Sequence, residues 1–227
     1  PAGSAVRLQI VHPRSGFSRE MLTLNRIPRR PLPYRLEMSG AVLVLELRHP
    51  TRLDAGRLAS ELADYRDQGI EHLLIDLRNA AEGTVRELPP VAALFHQGEA
   101  FQLVDRDGET LEKVTIESEG PIWTGEISLL VNGSTAGAAE GFARLLQVTG
   151  PVQVYGEETF GMAYEPELFE LPGGAGVLVT SREWRLSSGE GWGEAGVIPD
   201  VAVIPEGRTY PERILDQMTR TLEALGS

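Results

Sequence analysis

His72-Leu-Leu-Ile-Asp-Leu77 is apolar almost without interruption. A strand that faces water on one side alternates polar and apolar residues, so a run of this kind must be covered on both faces. Ser128-Leu-Leu-Val-Asn132 reads as another buried strand, and Val42-Leu-Val-Leu-Glu-Leu47 and Pro151-Val-Gln-Val-Tyr155 as further strands. Between them lie helical patterns. Asp54 is placed to cap a helix with Leu58, Leu62 and Tyr65 on one face, ended by Gly69. A second helix is predicted from about Thr135 to Val148, and a weaker one over 85–97 is interrupted near its start by Pro89-Pro90. A last helix has Pro211 at its first turn and aligns Ile214, Met218, Leu222 and Leu225. This alternation predicts an α/β core over residues 34–205 with a mainly parallel sheet and right-handed crossovers, followed by a C-terminal helix within 206–227.

Two further segments read as hairpins. Residues 101–118 alternate around Asp107-Gly108, and residues 167–186 around Pro172-Gly-Gly174. Ahead of the core, Ala5-Val-Arg-Leu-Gln-Ile-Val11 and Glu20-Met-Leu-Thr-Leu24 read as two strands about the turn Pro13-Arg-Ser-Gly16. Two strands alone are marginal in water, so residues 1–27 are expected to be the end of a larger domain. Residues 28–33, Pro28-Arg-Arg-Pro-Leu-Pro33, form a stiff Pro-rich linker.

Charge and residue usage then exclude several functions. The formal charge of -12 disfavours nucleic acid as a partner, since a polyanion is repelled on average. Without cysteine there can be no disulfide, thiol nucleophile or thiolate metal site. Lys113 is the only lysine, and arginine does not act as a base at ordinary pH, so any lysine base must be Lys113. It lies in a polar hairpin, where a solvated cross-strand charge is the expected role. His12, His49, His72 and His96 lack ligand spacing, so neither metal nor cofactor is expected. A Ser–His–Asp arrangement is defined by geometry and is not legible from spacing. No apolar run approaches the roughly 20 residues that span a bilayer. The chain does not open on Met and shows no signal peptide, so a mature or trimmed form is expected.

The stretch Leu129-Leu-Val-Asn-Gly-Ser-Thr-Ala-Gly-Ala-Ala-Glu140 joins a buried strand to a helix through small residues. Backbone N–H groups at such a junction can hold an anion or an oxyanion. The competing reading is structural, with Ser134 and Thr135 capping the helix and the small residues allowing close packing.

Val131-Asn-Gly-Ser-Thr-Ala-Gly-Ala-Ala-Glu140 resembles the "VNxGSASASE" motif of C-terminal processing peptidases, also called tail-specific serine proteases. Four other segments resemble that family in order. Ile75-Asp-Leu-Arg-Asn79 is similar to "LDLRNNPGG", and Tyr155-Gly-Glu-Glu-Thr-Phe-Gly161 to "VGExTFGK". Val179-Thr-Ser-Arg182 with Trp184 is similar to "LTxARY", and Gly196-Val-Ile-Pro-Asp200 to "GIxPD". Residues 3–26 resemble the closing strands of the family's PDZ domain. The resemblance implies a crotonase/ClpP-like core, an incomplete PDZ domain, peptide or protein ligands, and an extracytoplasmic location. It also implies a Ser–Lys dyad, in which a serine attacks a carbonyl and a desolvated lysine takes its proton.

Here the sequence departs from the family. The serine position holds Gly137, the lysine position Met162, and the glutamine that orients the lysine falls near Pro166. Ala138 keeps one oxyanion N–H, while the "PGG" turn has become Ala81-Glu82-Gly83, expected to bring the Glu82 carboxylate near developing negative charge. No intact catalytic pair is therefore expected, and the leading expectation is a pseudopeptidase that binds peptide or protein C-termini. The alternatives are an active serine-type endopeptidase with relocated groups, for which Ser134 and Thr135 are the fallback nucleophiles, and a carrier of small apolar ligands.

Overall fold

The structure, a computed structural model, describes residues 4–12, 18–26, 32–193 and 195–226. The chain divides into two compact units, Pro1–Leu32 and Pro33–Ser227. In the first, β1 (Ala5–His12) pairs antiparallel with β2 (Ser18–Asn25), Ala5 opposite Asn25 and His12 opposite Ser18. Leu8, Met21 and Leu24 are exposed on this ribbon. The expected turn at Pro13–Gly16 lies outside the described residues, as do residues 28–31 of the expected linker.

The second unit is built on a six-stranded sheet. Its strands are β3 (Tyr34–Ser39), β4 (Val42–Leu47), β5 (His72–Asp76), β8 (Glu126–Val131), β9 (Gln153–Gly156) and β12 (Val201–Ala202). Their order is β12-β9-β8-β5-β4-β3, and every pair is parallel except β3 with β4. The sheet is covered on both faces, as its apolar runs require. Leu73 and Ile75 point into the main core with Leu43, Leu45, Leu129 and Val131, while Leu74 joins Val42, Leu130, Tyr155 and Val203 on the other face. Each fully buried leucine contributes about 1.5–3 kcal/mol.

Three helices and a short one complete the layers. Helix α1 (Ala55–Asp67) is capped by Asp54, whose carboxylate accepts from the Arg57 N–H at 3.0 Å, and it buries Leu58 and Leu62 in the main core. Helix α3 (Ala138–Thr149) buries Phe142, Leu145 and Leu146 in the same core. Helix α4 (Tyr210–Leu225) lies on the second face through Met218, Leu222 and Leu225. The helix expected over 85–97 is reduced to a 3-10 turn at Val85–Glu87 and the short α2 (Pro89–Ala92). Pro89 and Pro90 have no N–H to donate and fix their own φ, so they can only begin a helix, not continue one.

The two expected hairpins are part of one structure. Strands β6 (Gly98–Asp105), β7 (Thr110–Ile116), β10 (Tyr164–Leu171) and β11 (Ala175–Leu186) form an antiparallel sheet in the order β10-β11-β6-β7. Its central seam pairs Arg182–Leu186 with Phe101–Asp105.

Candidate functional site

The C-terminal ends of β5, β8 and β9 come together in a cluster of buried polar contacts. Asp76 and Arg78 are almost fully buried and form a two-pronged ion pair, with Nε to Oδ1 at 2.9 Å and Nη2 to Oδ2 at 2.7 Å. Arg78 Nη1 also donates to the Ile214 carbonyl at 2.5 Å, which ties α4 to the strand end. Asn132 Oδ1 accepts from the N–H groups of Asn79 and Ser134, each at 3.1 Å. These side chains satisfy backbone groups where strand pairing stops, which a buried turn requires.

Gly137 stands at the junction of this cluster with α3. Its φ of 62° and ψ of -119° are a conformation that residues with a Cβ rarely adopt. This corrects the expected helix start at Thr135: the positive φ at 137 interrupts helical geometry, and α3 begins at Ala138. The capping role expected of Ser134 and Thr135 is corrected with it. The Thr135 hydroxyl is buried and donates to the Leu77 carbonyl at 2.9 Å, while Ser134 is exposed. The cap is instead supplied from inside the helix, where Glu140 accepts from the Gly137 N–H at 2.8 Å.

Glu140 organises the site, and it was not singled out in the sequence. It is fully buried, and its carboxylate has four donors. Oε2 accepts from the Gly137 and Met162 N–H groups, both at 2.8 Å, and Oε1 from the Gly161 N–H at 2.6 Å and the Thr159 hydroxyl. Charge-assisted bonds of this number compensate burial of the carboxylate. One oxygen thus joins positions 137 and 162. The two nitrogens lie within twice 2.8 Å of each other. With about 1.5 Å for each N–Cα bond, their Cα atoms are no more than about 8.5 Å apart.

Space is open among the described residues on the side of Gly137 where a Cβ would point. A Cβ built on Gly137 would have one heavy atom within 4 Å outside its chain neighbours, the Gly83 carbonyl oxygen at 3.7 Å. The Met162 side chain therefore stands farther off than that, and it is 48% exposed. Ala138 opens α3, so its N–H has no acceptor within the helix. Gly83 has φ of 90°, and a Cβ there would meet Thr51 Oγ1 at 2.1 Å, so the close approach of these loops needs glycine. The Glu82 carboxylate turns toward the loop after β4, 3.3 Å from His49 Nδ1 and 3.2 Å from Arg52 Nη1.

The neighbourhood of Pro166 is structural in character. A β-bulge lies between Glu165 and Pro166. Glu165 receives bonds from Arg86 Nη1 at 2.5 Å and Trp184 Nε1 at 3.0 Å, and the Arg86 guanidinium lies 5.0 Å from the Trp184 ring centre. Arg86 is held in the protonated form by Glu165 first and Glu112 second, its pKa raised above the ordinary value. Lys113 is exposed on β7 opposite Gln102.

Comparison with known proteins places this arrangement. The profile of peptidase family S41 matches residues 41–203. A probable CtpA-like serine protease of Staphylococcus epidermidis is 28% identical over 206 residues, covering 84% of this chain and 42% of that protein. A carboxyl-terminal-processing protease of Picosynechococcus sp. is 28% identical over 212 residues, 92% of this chain and 51% of that protein. The chain thus spans about half the length of the curated relatives it matches. Among solved structures, a photosystem II D1 C-terminal processing protease superposes with a TM-score of 0.70 at 23% identity, over 90% of this chain and 57% of the other. An S41 protease of Bacteroides fragilis superposes with a TM-score of 0.63 at 15% identity, over 97% and 66%. Both structures share the mixed α/β fold with its mainly parallel sheet. The family profile extends over well over half of the sequence and includes both Gly137 and Met162, and the chain belongs to peptidase family S41.

Proposed function

We propose that this chain is a pseudopeptidase of the C-terminal processing type, which holds peptide or protein C-termini without hydrolysing them. The observation that carries the reading is the bridge from Glu140 to the N–H groups of Gly137 and Met162. It holds together the two positions that the family resemblance assigns to nucleophile and base, and these positions carry neither. Loss of either member of such a pair costs several orders of magnitude in rate. The atom nearest the Gly137 Cβ position is a carbonyl oxygen, an acceptor where hydrolysis needs donors. Binding needs less. The Ala138 N–H at the start of α3 offers a donor and a favourable dipole for a terminal carboxylate. An extended peptide could add along neighbouring backbone.

In the same reading β1 and β2 are the closing strands of a PDZ-like domain, and the protein works outside the cytoplasm. No helix among the described residues is long and apolar enough to cross a membrane.

Fluorescence anisotropy with a labelled peptide ending in a free apolar carboxylate, against the same peptide amidated, tests binding. The free acid should bind at least about tenfold tighter, as loss of a charge-assisted hydrogen bond implies. Met162→Glu should weaken the free acid selectively. Mass spectrometry should find both peptides intact. Equal affinity for acid and amide would rule out recognition of the C-terminus, and cleavage that disappears in Ser134→Ala or Thr135→Ala would restore a working protease.

A further inference from the structure

At the opposite, N-terminal end of the same sheet, a groove of about 1200 Å³ opens beside the last turn of α4. Neighbouring strands place four polar side chains on one face of it. Their rows follow from strand register, with His72 of β5 paired to Glu126 of β8, and Ser128 of β8 paired to Gln153 of β9. All four line the groove. Ser128 Oγ is 3.3 Å from His72 Nε2, and His72 Nδ1 is 3.5 Å from Glu126 Oε2. Ser128 itself is 4% exposed, and the His72 side chain 19%. Tyr155 donates its hydroxyl to Gln153 Oε1 at 2.9 Å, which leaves the Gln153 NH2 as the end that can donate to a ligand.

We propose that this is a second site, a serine hydrolase-type relay that cleaves small neutral esters and is independent of Gly137 and Met162. The order serine, histidine, carboxylate is the one that nucleophilic catalysis needs, and such relays are defined by geometry rather than chain order. Contacts of 3.3 and 3.5 Å are of the length that tightens when substrate binds. The relay uses the tautomer with the proton on His72 Nδ1, beside the Glu126 carboxylate, and the lone pair on Nε2, beside Ser128 Oγ. Ser128 Oγ attacks the ester carbonyl carbon and its proton passes to Nε2. The bond to the leaving oxygen breaks, and that oxygen takes the proton from His72 and departs as an alcohol. Water then attacks the acyl-serine, gives a proton to Nε2, and Ser128 regains it as the carboxylic acid leaves. Ester and water are consumed, and acid and alcohol are produced.

Gln153 Nε2 is the donor for the carbonyl oxygen as it gains charge, a role that side-chain amides can fill. The surroundings set the substrate class. Glu71 and Glu126 line the groove together with the C-terminal turn of α4, whose carbonyls carry partial negative charge, against the single cation Arg66. Anionic esters are therefore disfavoured. Ala41, Ile70 and Leu225 leave room for a short apolar acyl chain.

The test uses the whole chain with p-nitrophenyl acetate and, separately, a fluorophosphonate probe whose adduct is mapped by peptide mass spectrometry. Turnover above the buffer rate and an adduct on Ser128 are expected. Ser128→Ala should abolish both, and His72→Gln should lower turnover by about 10²-fold or more, the usual contribution of a general base. An adduct confined to another serine, no adduct at all, or full turnover in folded Ser128→Ala would overturn the proposal. If Ser128→Ala does not fold, the position of the adduct on the unaltered protein decides. Peptide binding at Gly137 is read separately, so failure at one end leaves the other standing.

Discussion

The two ends of the central sheet are held in opposite ways. At the C-terminal end, buried side chains saturate one another. Glu140 has four donors, Asp76 and Arg78 close a two-pronged ion pair, and Asn132 secures the turn that follows β8. At the N-terminal end the contacts are longer, and Glu126 is 82% exposed. Yet the tightly held end presents glycine and methionine, whereas serine, histidine and carboxylate meet at the loosely held one. The difference separates two functions that a catalytic site usually combines. Residues that hold a backbone in place are many and mutually dependent, while those that react are few and can change without disturbing them.

The sharpest way to break this contrast is to remove the carboxylate at each end. Glu140→Ala strands three N–H groups and a hydroxyl, and should destabilise the protein by about 3–5 kcal/mol, as breaking a buried charged network does. Glu126→Ala should stay within about 0.5 kcal/mol, as for an exposed position. Urea denaturation measures both, and comparable losses would erase the distinction between the two ends.

A smaller effect probes the backbone at Gly137. Gly137→Ala has open space for its methyl group, so a cost of about 1–3 kcal/mol would report the φ of 62° alone. Gly133→Ala, without positive φ and with its nearest neighbour at 3.7 Å, should be nearly neutral. If the two variants melt together, the conformation at 137 is not held against strain.

The smallest expected effect lies in pH dependence. Burial pushes the His96 imidazole below its ordinary pKa, opposed by its hydrogen bond with the Glu99 backbone. The folded protein then binds this proton less readily than the unfolded chain. The stabilisation is complete above the ordinary histidine pKa of about 6.5 and is lost as pH falls toward the lowered value. Thermal melts between pH 7.5 and 5 should show this acid-side loss diminished in His96→Gln. An undiminished loss in that variant would show that His96 is not its source.

Much of the fold was legible in the sequence because burial leaves a local record. The nearly continuous apolar run at 72–77 predicted a strand covered on both faces, and Leu73 and Leu74 indeed enter different cores. Asp54 caps α1 where its position ahead of Leu58 and Leu62 predicted. The motif around 131–140 located the strand-to-helix junction, but it did not reveal the positive φ of Gly137 or the helix start at Ala138. Glycine permits that conformation without requiring it, and here it accompanies a hydrogen bond to a carboxylate that also binds residues 159, 161 and 162.

The sequence by itself determined the parallel core, the family, and the absence of serine and lysine at positions 137 and 162. Those follow from hydrophobic periodicity and residue identity, which are local and countable. Tertiary structure alone decided that Glu82 turns to His49 and Arg52, that residues 98–116 and 164–186 share one sheet, and that His72 meets Ser128 and Glu126. Each of these is a contact between segments distant in the chain. Register and packing set such contacts, and the side chains involved carry no local signature of their partners.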